Sequence, residues 1–166
     1  MSTISTLRRT ALALAIAVVA SPWPAAGAFA QTHDHASAVP SKLALDHGRK
    51  WTTDAPLRAG MGRIRTLVAP QVAPAHTGKL SPAQYAELSG RIEAEVGTIV
   101  ANCKLEPNAD AMLHLVLADI GAGTDAMAGK TAGLSPQQGL VKVALAVNDY
   151  QRHFADPGLQ PIRNLH

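Results

Sequence analysis

The sequence predicts an all-α domain, folded as an up-down-up-down antiparallel four-helix bundle. Four segments carry apolar residues at steps of three and four, which is the spacing that places them on one face of a helix. The connections between these segments are short, as they are between antiparallel neighbours in a bundle. No segment shows the strict alternation of apolar and polar residues that is typical of a half-buried strand.

The first predicted helix begins at Asp54, a good N-cap residue, and has Pro56 in its first turn. Proline costs little there, because the N–H that it lacks would have no partner inside the helix. Pro70 and Pro74 are expected to end the helix. The apolar stripe of this helix consists of Leu57, Met61, Ile64 and Val68.

The second predicted helix begins at Ser81-Pro82, a capping serine followed by proline in the first turn. Its apolar stripe is the most regular in the chain. The periodicity extends to Cys103, so we expect this cysteine to lie on the buried face. The members of the stripe are Tyr85, Leu88, Ile92, Val96, Ile99 and Cys103.

The third predicted helix follows Glu106-Pro107 and is expected to be capped by Asn108. The fourth begins at Ser135-Pro136 and ends at Asp156-Pro157-Gly158. Both carry apolar residues at helical spacing, Leu113, Val116, Ile120 and Met127 in the third helix and Leu140, Ala144, Val147 and Phe154 in the fourth.

Residues 1–30 have the pattern of a cleavable secretory signal peptide. Arg8 and Arg9 precede an apolar run over residues 11–20, and Ala28-Phe29-Ala30 is a small-x-small cleavage site. The run is short for a retained anchor, and no other stretch is apolar enough to cross a membrane. The sequence therefore predicts export to the periplasm.

The remaining chain is divided into three parts by its composition. Residues 31–53 are predicted to be a flexible lead-in with three histidines, residues 54–157 the helical domain, and residues 158–166 a C-terminal tail. The signal peptide holds two of the fifteen Lys and Arg residues and none of the twelve acidic ones, so the exported chain is close to neutral. This balance argues against nucleic-acid binding.

Motifs of enzymatic sites are missing from the sequence. It contains no Gly-x-Ser-x-Gly, no His-Glu-x-x-His and no glycine-rich phosphate loop. A nucleophilic pair of Cys103 and His114 would lack an orienting group and oxyanion donors. We therefore expect a protein without catalytic activity.

Side chains that can bind a soft metal ion converge at one end of the predicted bundle. The start of the first helix, the end of the second, the start of the third and the end of the fourth share that end, and bundle metal sites are built from such facing helices. A thiol, imidazoles and thioethers suit copper better than hard cations. Each residue also has an ordinary interpretation, as a core methionine, a buried thiol or a boundary histidine. The candidate ligands are Met61, Cys103, Met112, His114 and His153.

Two segments resemble the cytochrome b562 family of periplasmic four-helix bundles. They are Ala55-Pro56-Leu57-Arg58-Ala59-Gly60-Met61-Gly62-Arg63-Ile64 and Asn148-Asp149-Tyr150-Gln151-Arg152-His153-Phe154. The resemblance implies a bundle with a b-type haem that has Met61 as an axial ligand. The family's histidine follows the tyrosine directly, where this chain has Gln151, so that His153 is the available second ligand. No Cys-x-x-Cys-His motif is present for covalent haem attachment.

A second candidate copper site lies at the predicted mature N-terminus. Cleavage after Ala30 leaves Gln31, Thr32 and His33 as the first three residues. A free amine, two amide nitrogens and a third-position histidine form the square-planar donor set that Cu(II) prefers. Cyclisation of Gln31 would remove the amine.

Three functions stay open on the sequence alone. The leading hypothesis is an exported copper-binding bundle that uses the Cys/His/Met cluster. The first alternative is a b-type haem electron-transfer protein, and the second is a cofactor-free structural or stress-related bundle that binds a periplasmic protein partner.

Overall fold

The computed structural model describes residues 41–165, in which all regular elements are helices, so the all-α class is confirmed. Four helices are long and one is short. No helix in this part of the chain combines the length and apolarity needed to cross a membrane. The elements are α1 (Ala55–Val68), a 3-10 turn (Ala69–Gln71), α2 (Val72–His76), α3 (Pro82–Asn102), α4 (Pro107–Met127) and α5 (Pro136–His153).

Three of the four long helices begin at the residues that the sequence predicts. Asp54 caps α1 and accepts a hydrogen bond from the backbone N–H of Leu57 at 2.9 Å. Ser81 and Ser135 each form a complete capping box with the glutamine three residues later. Proline occupies the first or second position of each helix, where its missing N–H is harmless.

The predicted start of the third helix and the predicted end of the fourth are wrong. Helix α5 ends at His153 and not at Asp156, because the backbone of Phe154 is already extended (φ −117°, ψ 144°). Glu106, and not Asn108, is the N-cap of α4, because Pro107 takes the first helical position and no side chain caps the helix. Helix α1 ends at Val68 as expected, but Pro74 does not stop the helical path. It lies near the start of the short α2, where a proline breaks no essential hydrogen bond.

Helices α4 and α5 approach closely at two glycines. A Cβ on Gly123 would lie 2.8 Å from the carbonyl oxygen of Gly139, and a Cβ on Gly139 would lie 2.6 Å from the carbonyl oxygen of Gly123. Gly60 on α1 leaves similar room for the side chain of Ile99 on α3. Only glycine allows the α4 and α5 backbones to lie at this separation.

The core continues beyond the end of α5. Tyr150 and Phe154 are fully buried, and their rings stack with centroids 5.0 Å apart. The Tyr150 hydroxyl donates to the buried carboxylate of Asp156 at 3.3 Å. Burial and this neighbouring carboxylate raise the pKa of Tyr150 well above its usual range.

The predicted C-terminal tail folds back onto the helices. Leu159 and Ile162 are buried in the core cluster. The Asn148 side chain donates from Nδ2 to the Ile162 carbonyl at 2.9 Å and accepts from the Ile162 N–H at 2.7 Å. This exchange gives both groups of a buried amide a partner, so Asn148 fixes the tail on α5.

The predicted flexible lead-in, from residue 46 onward, is paired with the end of α5. We call residues 46–53 the strap. It begins with a turn between Asp46 and Arg49, and the N–H of Trp51 then donates to the His153 carbonyl at 2.8 Å. The Trp51 carbonyl in turn accepts from the N–H of Ala155 at 2.8 Å. These bonds satisfy backbone groups at the C-terminus of α5 that have no partner within the helix.

Candidate functional site

Cys103 lies at the point where α3 ends. Its backbone is extended (φ −72°, ψ 146°), and its N–H still donates to the Ile99 carbonyl at 2.8 Å. The side chain is half-buried and packs against the edge of the core. The sequence predicts a place on the fully buried stripe of α3, and the extended backbone explains why the thiol lies partly outside it.

The thiol of Cys103 has two carboxylates in its surroundings. Partial burial, followed by the negative charges of Asp54 and Asp110, raises the pKa of Cys103. Asp54 is held near Cys103 by a hydrogen bond, in which its Oδ2 accepts from the N–H of the next residue, Lys104, at 2.6 Å. We refer to Asp54, Cys103, Lys104 and Asp110 as the Cys103 end.

His114 lies one turn beyond Asp110 on α4 with 65 % of its side chain exposed. Its Nδ1 is 2.9 Å from the Asp110 carbonyl oxygen and 3.4 Å from the Asp110 carboxylate. A carbonyl oxygen only accepts, so Nδ1 carries the hydrogen. In the neutral ring this leaves Nε2 unprotonated, which is the arrangement that a ligating histidine needs.

His153 has the same backbone bond at the end of α5. Its Nδ1 lies 2.8 Å from the Asp149 carbonyl oxygen, so Nε2 is again the unprotonated nitrogen of the neutral ring. The half-buried ring lines a groove of about 570 Å³ between α4, α5 and the segment before the strap. The groove has an apolar wall that includes Leu43 and Leu115, and Arg152 pairs with Asp149 at its edge.

The two candidate methionines differ in burial. Met61 on α1 is fully buried in the core, with 0 % of its surface exposed. Met112 on α4 is half-buried and packs against the edge of the same core. Met61 thus has the place of a core residue, whereas Met112 can be reached from outside.

Among the predicted ligands, Cys103 and His114 share one neighbour, the Asp110 carboxylate. Cys103 and Asp110 interact electrostatically, and Met112 and His114 follow Asp110 on α4. Within residues 41–165, no three His, Cys, Asp or Glu side chains form a group that could hold a metal ion. Gln31, Thr32 and His33 lie outside the described residues, so the N-terminal copper site stays a prediction.

The sequence reasoning missed the role of Asp54 at this end. Its position before Pro56 identified it as a helix cap, which uses one carboxylate oxygen. The second oxygen binds Lys104, fifty residues later in the chain. No local pattern indicates such a contact, because it depends on how α1 and α3 meet.

No protein-family model, curated protein or solved structure matches this chain. The resemblance of its two segments to the cytochrome b562 family therefore has no support beyond the residues that carry it.

Proposed function

We propose that this chain is an exported, non-catalytic helical protein that binds copper through Cys103. The observation that carries the proposal is the environment of the thiol. Cys103 is half-buried at an accessible helix end, near the carboxylates of Asp54 and Asp110. This negative charge opposes formation of a free thiolate, and it favours a cation bound at the same place.

Copper is the metal that best fits the thiol of Cys103 together with an imidazole and a thioether. His114 lies on the first half of α4, and its exposed ring shares the Asp110 carboxylate with Cys103 as a neighbour. Met112 is half-buried against the core about 200° further around the same helix, so it would join the site only if the start of α4 rearranged. Sulfur donors select Cu(I), and imidazole also suits copper. Met61 and His153 remain in the proposed ligand set. Met61 could bind the metal only if the site extended into the core, and His153 only if it extended to α5.

We further propose that the four long helices form the predicted up-down-up-down antiparallel bundle. The ion pair of Arg63 with Glu95 links α1 to α3, and that of Lys142 with Asp119 links α4 to α5. Ser89 on α3 donates to the Thr124 carbonyl near the end of α4. The Ser89–Thr124 and Lys142–Asp119 contacts join an earlier residue of one helix to a later residue of its neighbour, as antiparallel packing requires. Gly60 in the first half of α1 likewise faces Ile99 near the end of α3.

Titration of the exported protein with Cu(I), against a competing chelator, tests the copper proposal. Cu(I) separates this site from the predicted N-terminal site, which would select Cu(II). We expect Cys103→Ala to weaken binding by more than about 10- to 100-fold, the loss that removing even an outer-shell partner causes. His114→Ala and Met112→Leu should weaken it by smaller factors.

His76→Ala is the matched control for this titration, because His76 lies on α2 and is not in the proposed ligand set. It should bind Cu(I) as the wild type does. If Cys103→Ala and His114→Ala bind as tightly as the wild type, the site assignment is wrong.

A b-type haem is the second candidate, and the tautomer of His153 favours it. The Nδ1 bond to the Asp149 carbonyl leaves Nε2 as an available ligand, with Met61 as the axial partner that the resemblance implies. Met61 is fully buried, so the helices would have to separate to admit a haem. Addition of haemin should produce a Soret band that Met61→Ala weakens, and a spectrum with no such band would remove this candidate.

A cofactor-free protein that binds a periplasmic partner is the third candidate. It is favoured by large apolar side chains on the outer helix surfaces, Val100 with 59 % and Leu145 with 47 % of their surface exposed. Isolated apolar residues are common on protein surfaces. This candidate gains if neither copper nor haemin binds, and loses if either binds tightly.

A further inference from the structure

Asp54 uses its two carboxylate oxygens in different parts of the fold. Oδ1 accepts from the Leu57 N–H at 2.9 Å and caps α1. Oδ2 accepts from the Lys104 N–H at 2.6 Å, in the connection between α3 and α4. A bond from a charged acceptor to a backbone N–H is stronger than a neutral one. One side chain thus joins the start of α1 to residues 103–106.

The connection over residues 103–106 is otherwise lightly held. Cys103 bonds only back into α3, and the first backbone bond on the other side belongs to α4, where the Asp110 N–H donates to the Glu106 carbonyl. Leu105 packs half-buried against the core. Within the described residues, the Lys104–Asp54 bond is the only hydrogen bond that ties this connection to α1.

The partner side of this bond is firmly positioned by the strap. Arg58 donates to the carbonyl of Thr53 at 2.8 Å, and the Thr53 hydroxyl donates to the Ala155 carbonyl at 2.8 Å. Asp54 therefore extends from a fixed backbone, whereas the connection that it holds has few other bonds. When such a contact breaks, the lightly held side moves first.

We propose that Asp54 is a latch that holds the α3–α4 connection closed and limits the access of large partners to the Cys103 thiol. The latch is formed by one hydrogen bond, so it opens by local movement of residues 103–106 while the helices stay packed. This proposal does not depend on metal binding. Any protein or reagent that must approach Cys103 closely meets the same restriction.

The latch can be tested with maleimides of two sizes on the full exported chain, because Cys103 is its only cysteine. N-methylmaleimide and a polyethylene-glycol maleimide react by the same chemistry, and both require the thiolate. The ratio of their rates cancels the fraction of thiolate and reports access alone. We expect Asp54→Ser to raise the bulky-to-small rate ratio by about 10-fold or more, the factor that loss of one hydrogen bond to a charged group gives an opening equilibrium.

The choice of variants separates the latch from the other roles of Asp54. Serine is an equally good N-cap, so Asp54→Ser preserves the start of α1 while removing the bond to Lys104. Asp110→Asn is the matched control, since the Asp110 carboxylate also places negative charge near Cys103, while its only bond to the connection is made by its backbone and is kept in the variant. It should speed both reagents equally and leave the ratio unchanged.

Amide hydrogen exchange shows whether the opening is confined to residues 103–106 or involves unfolding of α3. In Asp54→Ser the Lys104 amide should lose protection, while the amides in the middle of α3 keep theirs. An unchanged rate ratio in Asp54→Ser, an equal rise in Asp110→Asn, or loss of protection throughout α3 would each overturn the latch. The assay contains no metal, so its failure would leave the copper proposal standing, and a failed copper titration would leave the latch standing.

Discussion

The contact between α4 and α5 and the Cys103 end are held together in opposite ways. At the helix contact, Gly123 and Gly139 bring two backbones together with no room for a Cβ. At the Cys103 end, the carboxylate of Asp54 spans the gap to Lys104 through hydrogen bonds to backbone groups. The helix contact is close-packed and leaves no room for a larger residue, whereas the contact at the Cys103 end is polar and one substitution can break it.

This difference shows where the molecule can tolerate movement. Close-packed backbones resist displacement because any separation loses many contacts at once. A carboxylate that bonds to a loop loses only one interaction when the loop moves, about 1.5–3 kcal/mol for a hydrogen bond to a charged group. The candidate thiol therefore lies in the part of the fold that opens at low cost, and the helix contact provides the rigid support.

The largest expected effect is that of Gly139→Ala. Its Cβ would lie 2.6 Å from the Gly123 carbonyl oxygen and 2.7 Å from the Met127 nitrogen, and neither backbone atom can move aside. We expect unfolding free energy to fall by about 3 kcal/mol or more, at the upper end of overpacking costs. Urea denaturation measures it.

Gly121→Ala in α4 is the control for this substitution, since a Cβ there meets nothing within 4 Å. It should raise stability by up to about 1 kcal/mol through helix propensity. Equal stability of the Gly139→Ala variant and the wild type would show that the two helices are not held by a close glycine contact.

An intermediate effect is expected for Tyr150→Phe, at the end of α5. The substitution removes the donor to the buried Asp156 carboxylate, so we expect a loss of about 1–3 kcal/mol at neutral pH. Thermal or urea denaturation of the two proteins gives the difference. If the variant is as stable as the wild type, the hydroxyl bond contributes nothing and this end of α5 depends on ring packing alone.

The same substitution should change the response to alkaline pH. Because the pKa of Tyr150 is raised on folding, the unfolded chain loses its phenolic proton first, and stability falls as pH rises above about 10. Tyr150→Phe should make that fall shallower. Burial also raises the pKa of Tyr85, so Tyr85→Phe is the matched comparison and part of the slope should persist in either variant.

The smallest effect is expected at the surface pair of Arg63 and Glu95, which joins α1 to α3 with Nε and Oε2 2.7 Å apart. Solvent reaches both side chains, so Glu95→Gln should cost less than about 1 kcal/mol. A double-mutant cycle with Arg63→Gln measures the coupling. A coupling energy of several kcal/mol between Arg63 and Glu95 would contradict this expectation and show that the pair contributes substantially to stability.

The helix starts could be predicted because their signals are local. Asp54, Ser81 and Ser135 each cap a helix through a backbone N–H three residues away, and a proline follows each within two residues. The α4 start was misplaced by two residues because Glu106 and Asn108 flank the same proline, and position alone decides between them. Capping interactions between residues within one helical turn can therefore be predicted from the sequence.

The site and the tail depend on distant contacts, and the sequence predicts them less well. The periodicity of α3 reaches Cys103 in the sequence, yet the backbone leaves helical geometry at that residue. Leu159 and Ile162 are isolated apolar residues with no periodic pattern, and they are buried because Asn148 binds the tail. Whether the five candidate ligands act together stays a prediction.

The pairing of Trp51 with Phe154 and Ala155 has a consequence for the order of assembly. These partners are separated by about a hundred residues, and Trp51 cannot find them until the last helix has left the ribosome. Contacts of this separation form late, because a long loop must close first. During synthesis the strap therefore has no partner until α5 is complete, whereas every residue of the Cys103 end has already been made.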